Sequence, residues 1–339
     1  MEGGGVKLEG VGRLVDGGDA GDSYNYAPPA VDLLVEEPSK VETRVEAPGP
    51  VRGELLVERI YAWPRGLRGD GRSSERAEVP VATSVEVRAG EPFVRVRVGF
   101  DNPCNDRRLR FHLPLPQEVD RSWAEGQFAV VERGLAAEAG YGEVPLPTFP
   151  ARGFVAVEGV AVLLQHVMEY QVVEGRELAL TLLRSIGLVS RNANPYREDP
   201  AGPEVPIPAA QCRGPWTVGF ALFPYRGSWA EGGVLAQMER YQHPFLVVPG
   251  TGERPDGEAP GLEVRGPGVM LSSLRRRRGR LELRLVCQQP EEATAQVIGR
   301  FGQAWEADLL GRPGEALEVR DGMLCLQLRP WEIRTVQVE

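Results

Sequence analysis

Histidine and cysteine, from which most metal and nucleophile sites are built, are scarce in this chain. Three histidines occur in 339 residues, at His112, His166 and His243. None stands in an H-x-D, H-x-x-x-H or H-E-x-x-H spacing, so no metal-ligand pair is written locally. The four cysteines, Cys104, Cys212, Cys287 and Cys325, form no C-x-x-C pair and are too few to staple a chain this long. Reduced, mostly buried thiols in a cytoplasmic protein are therefore expected. Lysine is confined to Lys7 and Lys40, and the other basic side chains are arginine. No apolar run reaches the roughly 18 residues of a membrane-spanning helix. The opening MEGGGVKLEG has neither a basic nor an apolar signal region, so no signal peptide is expected. No G-x-S-x-G, P-loop or post-strand G-x-G-x-x-G is found. A net charge of −9 argues against general affinity for nucleic acid or anionic membranes.

What is abundant is strand and turn. The 41 glycines and 29 prolines are too many for a helical protein. Period-2 alternation recurs at Thr83–Arg88, Phe93–Phe100, Leu281–Val286, Leu324–Leu328 and Ile333–Val338, which predicts antiparallel strands with one wet face. Val160–Leu164 and Leu178–Leu183 read as strands buried on both faces. Only Gly232–Arg240 and Val131–Ala139 offer helical spacing. An all-β chain of stacked sheets is predicted. The stretch 248–261 (VPGTGERPDGEAPG) has no hydrophobic period and reads as a linker between domains at 1–247 and 262–339. Residues 190–211 hold five prolines and read as a long, functional loop. Residues 65–78 read as an exposed hairpin tip, and the RRRR run at 275–278 as a charged hairpin end.

The densest polar and aromatic cluster is DAGDSYNYAPP at 19–29. Tyrosine beside Asn and Asp suits sugars, because the ring stacks on the apolar sugar face while polar groups bond hydroxyls. A structural loop entering an edge strand is the plain alternative. Leu178, Leu180, Leu182 and Leu183 are expected in a sheet core. Arg184 and Arg191 are expected to pair with buried carboxylates such as Glu169, which would fix a loop without touching substrate.

In order along the chain, GDSYNYAPP (21–29), DNPCNDRRLRFHLPLP (101–116), PTFPARGFVAV (147–157), EYQVV with ELALTLLRSIGLVSR (169–191), QCRGPWTVGFALFP (211–224), ADLL (307–310) and PWEIRT (330–335) form a pattern. That pattern resembles the C-terminal β-region of glycoside hydrolase family 38, the zinc-dependent retaining α-mannosidases. The resemblance implies a galactose-mutarotase-like supersandwich over 1–247, N-terminally incomplete, followed by a small β-sandwich. It also implies that the zinc ligands, nucleophile and acid/base lie in a catalytic barrel outside this chain, which would be inactive alone. Zinc is expected there and no cofactor here. The partners implied are that barrel and, through it, a mannoside, with a homo-oligomer as a further state; nucleic acid and membrane are not expected. By resemblance Tyr24 reaches the sugar, and Asp22, Asn25 and Tyr26 support or line the same mouth. No catalytic residue and no metal ligand is assigned. Arg107 stands where the family has histidine. A freestanding carbohydrate-binding or scaffold protein is the competing function, and a mutarotase-like epimerase is a distant third resting on fold analogy.

Overall fold

The computed structural model describes residues 2–3, 6–244 and 261–339. The all-β reading holds. The chain divides into two compact units, one of residues 1–124 and 132–242, the other of 125–131 and 243–339. The linker predicted at 248–261 lies, apart from Gly261, outside the described residues.

Two sheets of unequal size, with strands between Arg13 and Pro224, form a sandwich. A five-stranded sheet runs in the order Phe149–Pro150, Glu169–Val173, Glu177–Ser185, Arg107–Pro114, Arg13–Gly18. A nine-stranded sheet runs Ala129–Gly134, Arg121–Gly126, Phe154–Val157, Val160–Leu164, Gly214–Pro224, Val94–Asn102, Arg76–Arg88, Arg52–Pro64, Lys40–Pro48. Alternation explains the layering. On Arg107–Pro114, Leu109, Phe111 and Leu113 enter the core while Arg108, Arg110 and His112 take the opposite face. Across the core, Phe111 meets Phe220 of Gly214–Pro224 edge to face at 4.8 Å. The four leucines at 178, 180, 182 and 183 all lie in this core.

One register shift matters. Leu109 pairs with Leu183 and Arg110 with Thr181, which leaves Leu182 as an extra, unpaired residue. Leu182 and Leu183 are consecutive yet both buried in the core. Beyond the bulge Arg184 pairs with Arg108, on the outer face.

The nine-stranded sheet extends past its partner. Val96, Val98 and Phe100 on Val94–Asn102 are covered by the five-stranded sheet. Register continues that same face through Val85 and Val87, then Leu55 and Val57, then Val41 and Val45. Here Val41, Val45, Leu55 and Val87 are exposed. The reverse face of these strands is a ladder of charges in which Arg44 pairs with Glu46 and Glu58, and Arg52 with Glu54 and Glu86. A cleft of about 320 Å³ opens where the covering stops, lined by Leu8, Leu55, Val57, Val85, Phe111 and Leu222 among others.

Two local readings are corrected. Residues 131–139 are not helical: Ala129–Gly134 is a strand at the sheet edge, and the helix is Val234–Gln242. The apolar spacing at 131–139 had no cap residue to start a helix, and sheet pairing won. The hairpin tip at 65–78 is not simply exposed. It folds back, and Arg72 is buried in an ion pair with Asp16 at 2.5 Å. Arg107 reaches the other oxygen of Asp16 at 2.6 Å, stacks 3.6 Å above the Trp63 ring, and donates to Asn102 at 3.1 Å. Burial pulls the Arg107 guanidinium below its ordinary pKa, and Asp16 opposes that.

The smaller unit is a second sandwich. Glu263–Arg265, Ala293–Ile298 and Met323–Leu328 form one sheet; Val269–Arg277, Arg280–Cys287, Ile333–Val338, Ala304–Ala307 and Pro313–Leu317 form the other. Leu283, Leu285, Val297, Leu324, Leu326 and Val336 pack between them. All four cysteines are free; Cys104 and Cys287 are buried and Cys325 is exposed. Among the described residues no helix is long and apolar enough to cross a membrane.

Candidate functional site

The segment 19–29 leaves the end of strand Arg13–Gly18 and turns back on itself. Ala20 N–H donates to the Ala27 carbonyl at 2.6 Å, and Asp22 N–H to the Asn25 carbonyl at 3.0 Å. The turn is so tight that a side-chain carbon on Gly21 would sit 2.0 Å from the Asn25 carbonyl oxygen. Only glycine fits there.

Two carboxylates pin this turn from inside. Asp19 accepts from Arg184 Nε at 2.6 Å and from the Gly21 N–H at 2.9 Å. Asp22 is fully buried and accepts the N–H groups of Tyr24 and Asn25 at 3.0 Å each and of Arg191 at 2.7 Å. Both terminal nitrogens of Arg197 also donate to it. Burial alone would raise the Asp22 pKa; the Arg197 and backbone donors outweigh it and hold the carboxyl down at about 2. Arg197 further donates to the Asn25 side-chain oxygen at 2.6 Å and the Ser190 hydroxyl at 3.0 Å. The proline-rich loop 190–211 is thus fastened to the tyrosine-bearing turn. The expected carboxylate partner of Arg184 was Glu169; the structure gives Asp19 instead. Arg191 donates its N–H to Asp22 and its Nε to the Gly21 carbonyl at 2.9 Å. Glu169 accepts from Thr181 at 2.6 Å and lies 3.8 Å from Arg108.

Pinned this way, the turn displays its two tyrosines differently. Tyr24 is 56% exposed, its ring 5.9 Å from the Arg197 guanidinium and its hydroxyl beside Gly202. Tyr26 is half-buried and lies flat under Arg108 at 3.5 Å. Burial pushes the Tyr26 hydroxyl above its ordinary pKa, against the pull of Arg108, so it remains a protonated donor. Asp22 and Asn25 are engaged by Arg197 and act on the tyrosines from behind.

Sequence reasoning missed Arg197, Arg108 and Arg110. The signal for the last two was present: R-x-R-x-H alternates with L-x-F-x-L along 108–113. Arg197 carried none, because its partners lie in the turn at 22–25 and the loop at 190–191. Among the described residues no three His, Cys, Asp or Glu side chains converge in a way that could hold a metal. The described residues therefore offer no donor set that fits zinc.

No protein-family model matches the chain. A protein of Halalkalibacterium halodurans named "Putative mannosylglycerate hydrolase" is 24% identical over 281 residues, covering 80% of this chain and 30% of its own. The crystal structure of an alpha-mannosidase from Enterococcus faecalis matches with a TM-score of 0.79 at 20% identity, over 99% of this chain and 39% of that one. A second structure from Enterococcus faecalis, of a protein in glycosyl hydrolase family 38, matches with a TM-score of 0.78 at 20% identity, over 99% and 41%. This chain spans less than half the length of each of them. The resemblance read from the motifs is thus met by the fold: the chain is similar to a β-rich portion of a family 38 glycosyl hydrolase.

Proposed function

We propose that this chain supplies the β-portion of a family 38 α-mannosidase, completing the sugar site of a zinc-dependent retaining barrel carried elsewhere. Zinc, nucleophile and acid/base belong to that barrel in this reading, and the substrate is a terminal α-mannoside. The observation that carries it is the exposed Tyr24, held out by a turn whose own polar groups are spent on Arg184, Arg191 and Arg197. Such a rigid backing is what a sugar-contacting ring requires. The uncovered apolar face from Val87 to Val41 supports the same reading, because an apolar sheet face of this kind marks a surface meant to be covered.

The test uses the native protein. Antibody against this chain is used to recover it from its source, and the recovered material is assayed on an aryl α-mannoside with zinc and with chelator. Zinc-dependent hydrolysis that is lost on replacing Tyr24 by Ala supports the proposal. A free native chain of 37.1 kDa without activity, but with saturable mannoside binding, overturns it in favour of a freestanding carbohydrate-binding protein.

A further inference from the structure

The nine-stranded sheet ends on strand Lys40–Pro48, and among the described residues no strand pairs with its outer edge. Every residue from Lys40 to Glu46 is exposed. Such an edge presents a row of unpaired backbone N–H and C=O groups, a template for any strand that matches it. Side chains sort by face along this strand. Val41, Thr43 and Val45 take the apolar face, and Lys40, Glu42 and Arg44 the opposite one. Glu46 is the extra residue of a bulge after Val45, and its contact with Arg44 sets it on the charged face as well.

Set against its own reverse, KVETRVE at 40–46 is complementary. About a two-fold axis through Thr43, an antiparallel copy brings Val41 opposite Val45, Glu42 opposite Arg44 and Lys40 opposite Glu46. The symmetry repeats each pair once more on the other side of the axis. Apolar pairs and opposite charges facing across strands are favourable, and like charges are not. The neighbouring registers that keep both apolar faces on one side fail this condition. Shifted one way, Glu42 faces Glu42 and Lys40 faces Arg44. Shifted the other way, Arg44 faces Arg44 and Glu42 faces Glu46. Within one chain the same charges are already matched, Lys40 with Glu42 and Arg44 with Glu46 and Glu58, so pairing brings no stray charge to the seam.

We propose that strand Lys40–Pro48 pairs with the same strand of a second copy of this chain, antiparallel and in the register centred on Thr43. The charge pattern selects the occupant, because it matches itself and in one register alone. The backbone ladder joins two nine-stranded sheets into one, with both apolar faces on the same side. The pairing uses the strand edge and leaves the apolar face open to a further partner, so it does not depend on the mannosidase reading.

The full chain is followed by sedimentation over a concentration series. A reversible dimer is expected. Arg44→Glu and Glu42→Arg, each alone, should weaken it roughly tenfold or more, because two opposite-charge pairs become like-charge pairs. An equimolar mixture of the two variants should recover the dimer, since every carboxylate at these positions then faces an arginine. Association through the apolar face alone would not respond to either change. A covalent probe tests the register separately, in a chain carrying Cys325→Ser to remove the exposed thiol. Thr43→Cys should oxidise to a disulfide-linked dimer, because directly opposed Cα atoms lie about 4.5–5.5 Å apart, within disulfide reach. Val41→Cys should not, being four strand positions, about 13 Å, from its own copy. A monomeric parent, variants that associate as the parent does, or a mixture no more associated than its components would each overturn the proposal. Should the charge variants melt below the parent, the cysteine pair decides: equal cross-linking at positions 43 and 41, or none at either, overturns it.

Discussion

Arg197 closes on Asp22 across 175 residues of sequence, and both side chains are buried. One ion pair thereby fixes the position of a tyrosine to which neither residue belongs. Breaking a buried pair from one side strands a charge, at a cost of about 3–5 kcal/mol. Arg197→Ala should lower unfolding stability by that order, and denaturant titration measures it. Arg197→Lys should recover only part, because Lys cannot serve Asp22 and Asn25 together as the guanidinium does.

The same pair sets an acid limit. The Asp22 carboxyl is depressed in the fold to about 2, so its contribution is fully present above the ordinary carboxylate value and is lost as pH falls toward 2. Stability should therefore decline between about pH 4 and pH 2. Asp22→Asn should be less stable at neutral pH and show a flatter decline in that window. Unfolding curves at a series of acid pH values provide the check.

Tyr24 should separate from its supports. Its ring is exposed, so Tyr24→Phe should change stability by no more than about 0.5 kcal/mol. In the assembled mannosidase of the proposed function, the same change should lower kcat/KM by roughly tenfold, the worth of a hydrogen bond to a sugar hydroxyl. Unaltered kinetics in the assembled enzyme would take Tyr24 out of the sugar site.

Arg107 offers a contrast with no ligand in view. Arg107→Ala should cost about 3–5 kcal/mol, since Asp16 would keep only Arg72 and Trp63 would lose its stacked cation. Thermal unfolding should register this.

The uncovered apolar face should make the chain self-associate when studied alone. Val41→Lys with Val45→Lys, both exposed on the edge strand Lys40–Pro48, should shift sedimentation toward monomer without lowering the melting temperature. A parent chain that sediments as monomer at all concentrations would contradict this.

Much of the fold was legible because alternation is a local signal. Val94, Val96 and Val98 announce their strand without help from the rest of the chain. The failures have a common physical origin in partners far away in sequence. Arg72 looked like part of an exposed tip because Asp16, which buries it, is remote. Arg184 was correctly read as a pinning arginine, but sequence alone could not choose Asp19 over Glu169. In the site, the tyrosine-bearing turn was visible as a polar and aromatic cluster, whereas Arg197 was not, since a lone arginine in a proline-rich loop carries no pattern.

The unpaired Leu182 acts on the strand as a switch of parity. Thr181 and Arg184 are three positions apart, an odd separation that in an unbroken strand sends side chains to opposite faces. Because Leu182 is bulged out of the pairing, the two stand only two ladder positions apart, and so Arg184 emerges beside Arg108 within reach of Asp19. Straightening the bulge, so that Leu182 paired like its neighbours, would exchange inside for outside from Leu183 onward, turning the Arg184 guanidinium into the core and setting the turn at 19–29 adrift; deleting Leu182 would restore plain alternation with Arg184 still on the outer face. Sequences sharing this face can therefore carry the extra residue in a bulge or lack it, but cannot take it into the ladder.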